Sequence, residues 1–263
     1  MNRSVRAASL ALLVTAAPAG AGDFTLLPEA SLHLEAGRYA PVDQDFTWST
    51  WLGGGAGVVR YRKLTAYLLA DVETLLGSEH RAFDPNQANY HVEVGGRQQL
   101  GRAEAQLFFH HVSRHTEDRR KTQAVAWNVL GVRLAAPLPR ALRLPGRIVL
   151  GAGHTTQQSL VGYRFELTGQ LAADLLRRSW GDVYLDAKLR GVTAEASPAL
   201  PRGGFTDVTA EAGLRFRRPP GELQLFAAYQ HRNDVFVERA GVWDRALFGV
   251  RIGLAPATPP GGP

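Results

Sequence analysis

The chain has 263 residues, no cysteine and a formal net charge of +6. The missing cysteines exclude a small disulfide scaffold, and the length suits one large domain. So moderate a basic excess does not point to nucleic acid.

Arg3 and Arg6 open a short basic segment, residues 7–17 are small and apolar, and Ala19-Gly20-Ala21 has the form of a cleavage site. Together they predict a secretory signal peptide over residues 1–21. Without Arg3 and Arg6, 28 basic residues face 24 acidic ones, a charge of +4. That balance suits contact with anionic lipid or lipopolysaccharide phosphates, where arginine forks bind well.

From there on the chain alternates with period two. Leu64, Ala66, Leu68, Ala70 and Val72 interleave with Thr65, Tyr67, Leu69, Asp71 and Glu73. Further along, Val161, Tyr163, Phe165 and Leu167 interleave with Gly162, Arg164, Glu166 and Thr168. Val183, Leu185, Ala187 and Leu189 do the same with Asp182, Tyr184, Asp186 and Lys188, and the pattern holds to Ile252 and Leu254. This is strand periodicity in segments longer than those of most soluble sheets. Twelve strands are predicted at 28–38, 47–61, 63–77, 88–101, 103–113, 122–135, 143–155, 160–173, 179–193, 205–217, 221–234 and 242–254.

A soluble barrel turns its apolar face inward, whereas a membrane barrel reverses that order. Strands of this length cross a bilayer when tilted, and an even count with alternating short and long connections fits the outer-membrane type. The expected fold is therefore all-β, an antiparallel transmembrane β-barrel over residues 22–254 after a cleaved signal peptide. A flexible Pro/Gly-rich tail is expected over 255–263. No internal repeat or second domain is read from the residue order. Inward charges such as Arg164, Glu166, Asp186, Lys188, Glu211 and Arg215 either line a pore or plug it by pairing. Residues 154–158 are expected in a polar outer loop, and the tryptophans in girdles or packing.

Residues 107–121 read LFFHHVSRHTEDRRK. On the fifth strand Ala105, Leu107, Phe109, His111 and Ser113 share one face, the lipid side, while His110 faces the other way. Asn128 sits on the lipid side of the sixth strand. Polar residues facing lipid are costly unless used or near the interface. A serine hydroxyl, an imidazole two residues away and a neighbouring amide match the logic of nucleophile, base and orienting group.

The twelve strands, the His111-Val112-Ser113 pair and Trp127-Asn128 on the next strand resemble outer-membrane phospholipase A. Lipid A deacylase barrels are similar, with an acidic third member. The resemblance implies an acyl hydrolase with Ser113 as nucleophile, His111 as base and Asn128 as orienting residue, assisted by Ca2+. Arg114-His115 follows the serine where the phospholipase pattern has Asn-Gly. The stretch also resembles uncharacterised barrels with an H-x-S-x-H-x-x-D hairpin, for which no activity follows; there His111, His115 and Asp118 shape a loop or bind a metal, with His115 and Asp118 the candidate ligands. Arg114, Arg119, Arg120 and Lys121 offer a patch for lipopolysaccharide phosphates, and His110 and His111 equally suit an interfacial belt. Membrane lipids and lipopolysaccharide are the expected partners, nucleic acid is not, and a homodimer is left open. Two functions stand side by side: a lipid-acting serine hydrolase, and a non-enzymatic barrel serving as narrow channel or structural envelope protein.

Overall fold

A computed structural model describes residues 24–42, 44–116, 125–196, 203–218, 220–233 and 241–254. The expected signal segment, the tail and Asp118 lie outside the described residues. Twelve strands follow one another: β1 (Phe24–Ala40), β2 (Trp48–Tyr61), β3 (Leu64–Gly77), β4 (Asp84–Leu100), β5 (Ala103–Thr116), β6 (Val125–Pro137), β7 (Gly146–Ser159), β8 (Tyr163–Arg178), β9 (Gly181–Ala194), β10 (Gly204–Arg218), β11 (Gly221–Asn233) and β12 (Val242–Leu254). Each pairs antiparallel with the next, and β1 pairs with β12 to close the barrel. That seam runs from Leu32 opposite Leu254 to Ala40 opposite Ala246. The tight connections fall at Arg62-Lys63, Gly101-Arg102 and Ser179-Trp180. At the first two turns Arg62 and Gly101 adopt positive φ. A 3-10 turn, Arg140–Leu142, sits between β6 and β7 at the same end.

The burial order is inverted relative to a water-soluble protein. Leu167 is 67% exposed and Phe248 56%, while Glu73 and Glu93 are 1% and 3% exposed. Alternation alone produces this, because successive side chains on a strand point to opposite faces.

The interior is built twice from the same parts. Tyr67 on β3 stands opposite Gly95 on β4, and Phe108 on β5 opposite Gly131 on β6. In both cases a Cβ on the glycine would run into the ring. Arg133 lies 3.7 Å from the Phe108 ring centre and grips Glu93 with two bonds of 2.6 Å. Tyr67 donates to the same carboxylate at 2.9 Å. Across the barrel Tyr184 stands opposite Gly213 and Phe226 opposite Gly249. Arg251 lies 4.9 Å from the Phe226 ring centre and holds Glu211 with two bonds of 3.0 Å, while Tyr184 donates to Glu211 at 2.6 Å.

Glu93 and Glu211 are 118 residues apart, as are Gly95/Gly213, Arg97/Arg215, Phe108/Phe226, Arg114/Arg232, Gly131/Gly249 and Arg133/Arg251. Strands β3–β6 are thus matched by β9–β12, six places round the ring. This corrects the expectation of no internal repeat. The matched positions are mostly lumen-facing ones, where ring, glycine and ion pair must interlock. The lipid-side positions exchange Leu, Val, Ala and Phe freely and hide the period.

The lumen is cross-linked. Glu73 on β3 receives two bonds from Arg232 on β11, at 2.6 and 3.1 Å, and a third from Asn89 at 2.6 Å. Arg251 also holds Glu35, Arg190 holds Glu166 and Asp207, and Arg215 holds Asp174. Of the charges expected inside, Glu166, Glu211 and Arg215 stand in ion pairs, and Asp186 accepts from Gln170 at 2.8 Å.

Among the register shifts of the ladders, those of β6–β7 and β8–β9 near their outer ends change expected faces. The β8–β9 register slips between Tyr163 and Phe165. Tyr163 therefore turns inward against Trp127 and Arg190, and Arg164 becomes exposed and pairs with Glu195. Both had been assigned to the opposite face. The β6–β7 register slips between Asn128 and Val129, leaving Thr156 as the extra residue. Residues 154–158 belong to β7 rather than to an outer loop.

Candidate functional site

The outer end of β5 carries His111, Ser113 and His115 on the face it shares with the exposed Leu107 and Phe109. Its neighbours are fixed by the ladders. Val92, Tyr90 and Ala88 on β4 stand opposite His111, Ser113 and His115. On β6, Asn128 stands opposite His111 and Ala126 opposite Ser113. All these side chains project outward, as the alternation required.

The expected contact between His111 and Asn128 is present, with Nδ1 and Oδ1 2.6 Å apart. Asn128 Nδ2 in turn donates to Gln157 Oε1 at 3.1 Å. That bond turns the amide so that its oxygen faces His111, and an acceptor there places the ring proton on Nδ1. Gln157 can do this only because of the bulge at Thr156. Without the extra residue, Gln157 would fall on the lumen side of β7. Sequence reasoning missed Gln157, because a bulge leaves no mark in a run such as Thr155-Thr156-Gln157-Gln158.

The expected pair of His111 and Ser113 is arranged differently. The Ser113 hydroxyl lies 3.2 Å from His115 Nε2. The His115 ring meets Tyr90 edge-on, with centres 5.3 Å apart at 77°. His110 faces the lumen as expected and lies beside His91, with facing ring nitrogens 3.3 Å apart.

His115 is thus placed on the hydroxyl, and Asp118, the other residue of the expected metal site, lies outside the described residues. Among the described residues no group of three His, Asp or Glu side chains is set to hold a metal ion. The side chains that reach Ser113 and His111 are imidazoles and amides. Calcium favours carboxylate and carbonyl oxygens, so the described residues around Ser113 do not by themselves fit the ion that the resemblance implies.

On the opposite side of the barrel, the matching corner of β11–β12 is also polar. Tyr229 Oη donates to Asp244 Oδ1 at 2.7 Å, and His231 Nδ1 lies 2.7 Å from the same oxygen.

No family model matches the chain, and no curated protein matches it. Among solved structures the chain is similar to the translocator domain of the autotransporter NalP from Neisseria meningitidis. The identity is 10% over 86% of this chain and 87% of that one, with a TM-score of 0.44. It is also similar to a triple mutant of the Rhodopseudomonas blastica porin, at 8% identity over 88% of this chain and 100% of that one, with a TM-score of 0.39.

Proposed function

We propose that this protein is an integral barrel of a bacterial outer membrane, closed to solutes, and that it serves the envelope without conducting. The observation that carries this is the inverted burial, with leucine and phenylalanine outside and paired charges within. An apolar exterior of this extent is stable only against lipid. The cross-links from Arg232 to Glu73 and from Arg251 to Glu35 and Glu211 favour an envelope barrel over a narrow channel. In planar bilayers the purified protein is expected to give no discrete conductance steps. Steps that change when Arg232 or Arg251 is replaced would overturn the closed lumen.

A second reading is favoured by a specific observation, the 2.6 Å contact that holds His111 on Asn128 beside Ser113. It supports a lipid-acting serine hydrolase, with acyl transfer from an outer-leaflet lipid to Ser113. The cluster stands at the rim where the ester or amide bonds of such a lipid would lie. Its counterpart corner lacks a serine, so the fold does not require one there. In detergent, the intact protein is expected to hydrolyse phospholipid or lipid A, and Ser113→Ala to lose at least about 100-fold in rate. Equal rates for the two would remove the serine from the chemistry.

A further inference from the structure

Ser113 has an imidazole two residues away on each side along β5, and the two are differently engaged. His111 is committed to Asn128 through Nδ1, and Asn128 is committed to Gln157. His115 instead presents Nε2 to the Ser113 hydroxyl at 3.2 Å, its ring held edge-on against Tyr90, the residue opposite Ser113 on β4.

The repeat shows what this corner looks like without that pair. Adding 118 takes His111, Ser113, His115 and Asn128 to Tyr229, His231, Asn233 and Ala246. There the backbone closes in the same register, with His231 and Tyr229 both turned to Asp244. The hydroxyl–imidazole pair is therefore peculiar to one half and is not needed to close the barrel.

The geometry points to His115, rather than His111, as the base that takes the proton of Ser113, an inference that rests on the hydrolase reading above. As Oγ bonds to the acyl carbonyl carbon, its proton moves to His115 Nε2. Collapse of the adduct breaks the bond to the lipid's alkoxide or amine, which leaves with that proton. Water then attacks the acyl-serine and gives a proton to His115. His115 returns it to Ser113 Oγ as the fatty acid departs. His111, held by Asn128 and Gln157, is a positioning residue on the far side of the serine.

The test is labelling of the full-length protein in detergent micelles with a long-chain alkyl fluorophosphonate, read as a mass increment on Ser113. Intact protein is expected to be labelled. His115→Gln is expected to slow labelling at least about 100-fold, the lower range for losing a general base, and His111→Gln less than about 10-fold. His115→Phe, which keeps a ring against Tyr90, should be as slow as His115→Gln while retaining the heat-dependent gel shift of a folded barrel. Labelling lost in His111→Gln but kept in His115→Gln would return the base to His111 and overturn the inference. Intact protein left unlabelled at Ser113, and equal to Ser113→Ala in lipid hydrolysis, would remove the hydrolase reading itself.

Discussion

Glu73→Ala is expected to lower the stability of the folded barrel by roughly 3–5 kcal/mol, the cost of breaking a buried ion pair from one side. Glu73 is 1% exposed and collects three hydrogen bonds, two from Arg232 and one from Asn89. Its removal leaves the Arg232 guanidinium inside the lumen without its carboxylate. Asn89 keeps only its bond from Gln87, at 2.9 Å. Arg232 reaches Glu73 from four strands away round the ring, so this bridge braces the wall as well as neutralising a charge. The measurement is denaturant unfolding in detergent or lipid vesicles. The double variant Glu73→Leu with Arg232→Leu should cost clearly less than Glu73→Ala, because it removes both charges together. A single variant no less stable than the intact protein would mean that the bridge carries no weight.

The second large effect is expected on the outer face. Leu225→Arg, near the middle of β11 and on its lipid side, should destabilise the membrane-inserted barrel by about 2–4 kcal/mol. Leu107→Arg, its counterpart 118 residues earlier, should cost a similar amount. The measurement is refolding into vesicles of fixed composition. A soluble barrel would make the opposite prediction, since an arginine on a water-facing surface changes stability by only about 0.5 kcal/mol. A near-zero effect at both positions would therefore count against the membrane reading as a whole.

Much of this architecture was legible in the residues. The alternation of Leu64 to Val72 with Thr65 to Glu73, and its recurrence down the chain, located all twelve strands to within a few residues at most ends. The face of each side chain followed directly, so that His111, Ser113 and Asn128 were expected outward and His110 inward, as found. What alternation could not supply were the places where it breaks. The bulges at Thr156 and Arg164 shift the count by one, and they decide that Gln157 faces out and Tyr163 faces in. Spacing also could not tell which of two equidistant imidazoles would meet Ser113. That choice depends on side-chain torsions, which are set here by Asn128 on one side and Tyr90 on the other. The repeat was missed for a different reason. Its identities are scattered at lumen positions two apart and surrounded by interchangeable apolar residues.

That repeat bears on the descent of the chain. Two runs of four strands with the same rings, glycines, carboxylates and arginines, 118 residues apart, read as a segment that was copied and fused. Before fusion such a segment could have closed a ring only by joining its twin, and any change at its rim would have appeared twice. The two runs share an interior and differ at their outer corners, one carrying Ser113 and His115, the other His231 and Asp244. The same backbone register thus carries two different polar corners, and nothing in the interior dictates what stands at either rim.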